Sequence, residues 1–188
     1  MDTKNLRPPL YFIAISPPAN IVKSVESIKK ELKNEFGVKH ALKLDAHITV
    51  QIPFRMPESK EGILINKLQQ FTEEQHTFTT RLDGFAKFAK NVIFIKVLDH
   101  EPYIKLHKEL QEFMLKFNDL KSHEISSKIY PHLTLATRDL KRGHFPEIWD
   151  HFIGKNFSET FIVENLQLLK HNGQTWDIIK RFKFQANK

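Results

Sequence analysis

Two short stretches of this chain carry residue types suited to acid–base chemistry: Ala46-His47-Ile48-Thr49-Val50 and Pro131-His132-Leu133-Thr134-Leu135. Each reads His, apolar, Thr, apolar. On a strand, residues two apart share a face. Each stretch would therefore present an imidazole and a hydroxyl together, with Ile48, Val50, Leu133 and Leu135 turned into the core. An imidazole changes charge near neutral pH and can act as general base or general acid. A hydroxyl can donate to a non-bridging phosphate oxygen. Two of each, converging across a groove, would suit in-line attack of water on a phosphodiester without a metal. His47, Thr49, His132 and Thr134 are the candidate catalytic set.

The remaining histidines lack such a pattern. His100 and His107, like His144 and His151, lie seven apart with no carboxylates in a supporting arrangement, and a surface position is expected for them. No His-x-His or His-Glu-x-x-His run occurs, so no metal site is expected, and no cofactor. The absence of cysteine excludes disulfides, thiolate zinc sites, iron–sulfur clusters and a cysteine nucleophile.

The elements that must hold the two motifs follow from apolar spacing. Leu10–Ile15, between Pro8-Pro9 and Pro17-Pro18, reads as a buried strand. Ile21, Val25, Ile28, Leu32 and Phe36 recur at threes and fours, and Gly37 is placed to stop that helix. A strand over 45–51, ended by Pro53 and Pro57, precedes a helix over 59–71 and strands over 78–85 and 92–97, with Gly84 and residues 87–91 in loop. The order then restarts: a helix over 101–117, a strand over 129–137, a short helix over 146–152 and a strand over 161–169. Asn172-Gly173 supplies the positive φ angles of a tight hairpin before a last strand over 176–184. Phe12 and Phe94 are 82 apart, His47 and His132 85, and Phe78 and Phe161 83. These offsets predict one domain over 1–188 built from two duplicated lobes, about 10–85 and 92–184, with strands free to exchange between them.

The charge fits the candidate chemistry. Lys+Arg number 29 against 22 Asp+Glu, a net charge of +7, which favours phosphate-bearing partners. No block of five like charges occurs, so anion binding must come from a folded site. No apolar run approaches the roughly 20 residues of a membrane span, and the first residues lack a signal-peptide layout. A cytoplasmic monomer with no membrane partner is expected.

The paired His-x-Thr strands, with Tyr11-Phe12-Ile13-Ala14-Ile15 ahead of them, resemble the two-histidine (2H) phosphoesterase superfamily, in its 2′-5′ RNA ligase-like, or LigT-like, branch. Residues 131–140 and the tail 168–176 resemble an uncharacterised bacterial subgroup of that branch. The resemblance implies a bilobal α+β fold, with two antiparallel sheets facing a central cleft and helices on the outer faces. It implies metal-free chemistry at 2′,3′-cyclic or 2′-5′ phosphate linkages, with an RNA end or nucleotide as partner. A cyclic phosphodiesterase is the leading expectation. A 2′-5′ RNA ligase or 2′-5′ phosphodiesterase on the same site is the alternative, and a non-catalytic RNA-binding module is the rival from another class.

Better-known members follow the first motif with a small, Gly-containing segment; here it is Gln51-Ile52-Pro53-Phe54-Arg55. They often place an Arg five residues after the second His, where this chain has Thr137 and then Arg138; on a continuous strand that single step reverses the face. Five residues are candidates for substrate binding. Phe54 could stack on a base, and Arg55 could hold a phosphate. Tyr130 stands at the mouth of the second motif, Tyr11 on the first strand could line the cleft floor, and Arg138 follows the second motif.

Overall fold

In the computed structural model, residues 7–117 and 120–187 are described. They run β1 (Leu10–Ile15), α1 (Ala19–Phe36), a 3₁₀ turn (His40–Lys43), β2 (Ile48–Arg55), α2 (Glu61–Glu73), β3 (Phe78–Phe88), β4 (Val92–Val97) and α3 (His100–Phe117). After a second 3₁₀ turn (Ser122–Glu124) come β5 (His132–Thr137), α4 (Phe145–Asp150), β6 (Ser158–Val163), β7 (Asn165–His171) and β8 (Trp176–Lys183). The strands form two four-stranded sheets, in the orders β2-β1-β7-β8 and β5-β4-β3-β6, and all six pairings are antiparallel. This is a duplicated bilobal α+β fold with helices flanking the sheets.

Local sequence explains the placement of the elements. Helix α1 buries Ile21, Val25, Lys29 and Leu32 along one stripe. It ends at Gly37 (φ 71°), where the Gly37 N–H donates to Lys33 O (3.0 Å), the bond of an αL stop, and the Val38 N–H donates to Leu32 O (3.3 Å). Strand β1 sends Tyr11, Ile13 and Ile15 into the main core. Its alternate residues Phe12 and Ala14 join Leu169 in a smaller cluster under Leu44 and Trp176.

Several boundaries differ from the sequence expectation. Pro53 does not end β2, which continues to Arg55. The strand is an edge strand and its register slips around residues 52–53, so a residue without an N–H is tolerated there. The expected strand over 161–169 is two strands divided at Glu164, β6 in one sheet and β7 in the other. Apolar alternation cannot register a strand that changes sheets. Gly84 lies inside β3, not in a loop, at φ 66° where the β3–β4 register slips. The 82- and 85-residue offsets link equivalent strands of the two sheets (β1 with β4, β2 with β5), whereas Phe78 and Phe161 fall on neighbours within one sheet.

Candidate active site

Both motif strands, β2 and β5, are sheet edges, and both carry a bulge three residues after the histidine. Thr49 pairs with Ala14 and Gln51 with Ile13, leaving Val50 as the extra residue. Thr134 pairs with Phe94 and Ala136 with Ile93, leaving Leu135 extra. A bulge bends the strand and shifts the later alternation by one. That is why Thr137, as well as Thr134, lines the cleft.

The two imidazoles are set in the same way. His47 Nδ1 lies 2.8 Å from the carbonyl of Asp45, and His132 Nδ1 lies 2.6 Å from the carbonyl of Tyr130, two residues back in each case. A carbonyl only accepts, so both rings hold their proton on Nδ1 and keep Nε2 for chemistry. Each ring also meets a phenylalanine from the neighbouring strand. Phe12 packs against His47 at 5.3 Å and 62°, and Phe94 against His132 at 5.1 Å and 61°. Burial pushes the His47 pKa down to about 4, helped by the charges of Lys29 and His132 and opposed by the Asp45 carbonyl and its charge. His132 is also lowered, by burial, with the Tyr130 carbonyl opposing.

A cleft of about 550 Å³ is lined by His47, Thr49, Thr134 and Thr137 together with Lys29, His40, Lys43, Arg138, His171 and Trp176; His132 is near enough for its charge to act on His47 but is not itself among the lining residues. Among the described lining residues no carboxylate occurs. Such a pocket selects anions. A neighbouring depression of about 660 Å³ shares Lys43, Leu44, His47 and Trp176 with it and adds Lys23 and Arg181.

Long-range polar contacts hold the second motif against the first. Before β5, buried His107 places Nδ1 2.7 Å from Val50 O and Nε2 2.9 Å from Ser126 O. Gln51 Nε2 donates to Glu124 O (2.8 Å), and the buried Glu124 carboxylate accepts from the N–H groups of Arg55 (2.7 Å) and Lys121 (2.8 Å). After β5, the Asp139 carboxylate accepts from the N–H groups of Lys39 (2.8 Å) and His40 (2.7 Å).

The other candidate residues separate. Arg138 adopts φ 61°, so it leaves the strand path and lines the cleft, against the face reversal expected of a continuous strand. Tyr130 is 46% exposed, its ring packs on Phe88, Phe94 and His100, and it is outside the cleft lining. Phe54 and Tyr11 are fully buried and stack on each other at 6.0 Å, away from the cleft lining. Tyr11 could not join Phe12 on the cleft side, because adjacent strand residues face opposite ways. Its hydroxyl donates to Glu61 Oε2 (2.9 Å), and its pKa is raised to about 12 by burial and by that carboxylate. Arg55 donates through Nη1 to the Pro8 carbonyl (2.7 Å) and is outside the cleft lining.

His107 and His151 correct the surface expectation. His107 is buried as described, and His151 lies 3.1 Å from Glu31 and 3.2 Å from Glu35, two carboxylates of α1. The ligand atoms of Glu31, Glu35 and His151 fall within 4.8 Å of one another, but the Lys155 ammonium sits among them, 2.8 Å from Glu31 and 2.6 Å from His151. These groups form an ion-pair network that already contains its cation.

Comparison with known proteins identifies the family and agrees with the fold. The family model described as the 2′-5′ RNA ligase superfamily matches residues 17–175. The chain belongs to that superfamily. Among relatives, a Geobacillus sp. (strain WCH70) protein, a phosphoesterase by name, is 24% identical over 176 residues, which cover 92% of this chain and 94% of the relative. A Geobacillus kaustophilus (strain HTA426) protein with the same kind of name is 23% identical over 176 residues, 92% of this chain and 94% of the relative. The Thermus thermophilus protein TT0787 superposes with a TM-score of 0.67 at 16% identity, over 95% of this chain and 100% of that one. Escherichia coli LigT complexed with 3′-AMP gives 0.61 at 17%, over 95% and 99%. At these identities the structures speak to the fold. Within the superfamily frame, the residues unforeseen from sequence are Lys29, His40, Lys43, Thr137, His171 and Trp176, which reach the cleft from α1, the 3₁₀ turn, β5, β7 and β8. Only the Asn172-Gly173 hairpin signal, flanked by His171 and Trp176, offered a hint of them.

Proposed function

We propose that this superfamily member is a metal-independent phosphodiesterase that opens 2′,3′-cyclic phosphate ends of RNA or nucleotides. The observation that carries the reading is the pair of Nδ1-anchored imidazoles, each with a threonine two residues on: His47 and both threonines line a cleft whose described lining has cations and no carboxylate, and His132 is near enough for its charge to act on His47. In the proposed reaction one Nε2 takes a proton from water as the water oxygen bonds to phosphorus. The bond from phosphorus to one ribose oxygen breaks, and the other imidazole gives that oxygen a proton. Thr49 and Thr134 would donate to the non-bridging oxygens, where charge builds up. Lys43 and Arg138 would neutralise the phosphate, and Trp176 and Tyr130 offer ring surface to a base. The superfamily's description, and the crystallisation of E. coli LigT with 3′-AMP, ATP and NADP+, support a nucleotide phosphate as ligand.

The test is a panel of 2′,3′-cyclic mononucleotides, RNA with cyclic phosphate ends and 2′-5′-linked dinucleotides, assayed in EDTA with wild type, His47→Ala and His132→Ala. Hydrolysis of cyclic ends that survives EDTA and is lost in both variants is expected. Full turnover by His132→Ala would overturn the reading. Turnover confined to 2′-5′ linkages would replace it with the alternative that the superfamily's description favours.

A further inference from the structure

The two lobes place corresponding residues 82 positions apart on their long helices. Buried Ile21, Val25 and Leu32 of α1 match buried Tyr103, His107 and Met114 of α3. On the same offset Lys29 matches Gln111. Both side chains do the same structural work, tying their helix to the segment that enters the motif. Lys29 Nζ donates to Leu44 O (2.9 Å), three residues before His47, and Gln111 Oε1 accepts from the N–H of Ser126 (2.8 Å), six residues before His132. The tie is charged in one lobe and neutral in the other. Lys29 is 2% exposed, yet it lines the cleft beside His47. Of its three ammonium donors two are engaged, one by Leu44 O and one by Glu26 Oε1 (2.6 Å).

We propose that Lys29 is a positioning residue that makes the two histidines unequal, keeping His47 as the neutral ring that takes the proton from water and leaving His132 to deliver one to the departing ribose oxygen. This assignment rests on the phosphodiesterase reading above. The proton that water loses goes to His47 Nε2 as the new phosphorus–oxygen bond forms. The proton on His132 Nε2 goes to the ribose oxygen as the old bond breaks, and exchange with solvent restores both rings.

The surrounding charges agree with that division. Around His47 are Lys29 with its counter-ion Glu26, Asp45 on the approach to β2, and His132, near enough for its charge to act on the ring. His40, Lys43, Arg138 and His171 are on the same lining. Three fixed cations stand there against Asp45 and the partly offsetting Glu26. Around His132 the rings of Phe88, Phe94 and Tyr130 dominate, with His100 behind Tyr130. Lys96, in register with His132, is turned to Asp83 at 3.9 Å. The depressed pKa of His47, which Lys29 helps to lower, points the same way.

The experiment is a ¹⁵N NMR titration of the His47 and His132 rings in the full chain without substrate, for wild type, Lys29→Gln and Lys29→Arg. It is paired with the pH dependence of kcat/KM on a 2′,3′-cyclic mononucleotide. In wild type His47 is expected to titrate below His132. Lys29→Gln, which copies the other lobe, should raise His47 by roughly half to one pH unit, the size expected of one neighbouring charge partly offset by its counter-ion. It should leave His132 in place and carry the acid limb of kcat/KM up with His47, while Lys29→Arg holds both. His132 titrating below His47 in wild type overturns the proposal even if the glutamine variant fails to fold. So does a folded Lys29→Gln with an unmoved His47. Absence of turnover in wild type would instead overturn the phosphodiesterase reading, because the ring titrations need no substrate.

Discussion

His107→Leu tests how the two motifs are held together. The ring is 4% exposed and spans two carbonyls, Val50 O at 2.7 Å and Ser126 O at 2.9 Å. Val50 is the bulge residue of β2, out of register with β1, and Ser126 lies on the approach to β5. Leucine nearly fills the same space, so the cost is one of unmet polar groups and not of a cavity. Leaving a buried acceptor without its donor costs about 1–3 kcal/mol. A neutral imidazole carries a single N–H, so one donated bond is counted, and about 1–3 kcal/mol is expected. For a chain of 188 residues each kcal/mol moves Tm by about 2–4 °C, so thermal melting followed by circular dichroism should show a fall of roughly 3–10 °C. His107→Gln, whose amide can follow Nε2 to Ser126 but not Nδ1 to Val50, should fall between. Because the tie joins the strand after His47 to the segment before His132, kcat should also drop, by about tenfold for a small misplacement. A leucine variant melting within about 2 °C of wild type, with kcat unchanged, would refute the view that this ring fixes the motifs relative to each other.

Three other outcomes follow from the site. The folded state holds the His47 pKa at about 4 against an ordinary 6.5, so above pH 6.5 the ring is neutral in both states and costs nothing. As pH falls from 6.5 to 4 the unfolded chain takes the proton first, and stability on the order of 3 kcal/mol is lost; urea melts at neutral pH and at about pH 5 should show a fall that His47→Gln reduces. Tyr11→Phe removes the hydroxyl that donates to Glu61 while Lys170 still holds that carboxylate at 2.8 Å; a loss of about 1 kcal/mol in chemical denaturation with unchanged kcat/KM is expected, and a specific rise in KM would return Tyr11 to the cleft. Thr49→Val and Thr134→Val should each lower kcat by about 10²-fold with little change in KM, and a change in KM alone would make these hydroxyls ground-state contacts.

Much of the fold and the centre of the candidate site could be read from the sequence because they depend on local pattern. Apolar spacing locates α1 and α3, Gly37 stops α1, and the alternation around His47 and His132 turns His and Thr to one face. What could not be read depends on partners far away in the chain. Nothing local to Glu164 says that the chain changes sheets there. Nothing local to Val50 or Leu135 says that a residue is squeezed out of register, yet that bulge carries Thr137 to the cleft. His107 looked like a surface histidine because its acceptors lie 57 and 19 residues away. Tyr11 departs from the cleft-floor expectation for a simpler reason: Phe12 and Phe94 both face their histidines, so strand parity sends Tyr11 to the core.

Where the lobes agree and where they part separates two demands on the site. They agree in what orients a proton: the edge strand, the bulge at the third residue, the Nδ1 bond two residues back and the phenylalanine at 62° in one lobe and 61° in the other. They part in charge. Lys29 stands where the other lobe has Gln111, and Arg138 stands at the position that Pro53 fills after the first motif. A pair of rings with identical surroundings could exchange roles freely, and half of all encounters would find the proton on the wrong side. On the proposal above, the buried Lys29 would remove that degeneracy before the ligand arrives. Arg138, past the other motif and on the cleft lining, would meet the anion as it enters. The duplication then supplies matched geometry, and its departures from symmetry would supply a direction for the proton.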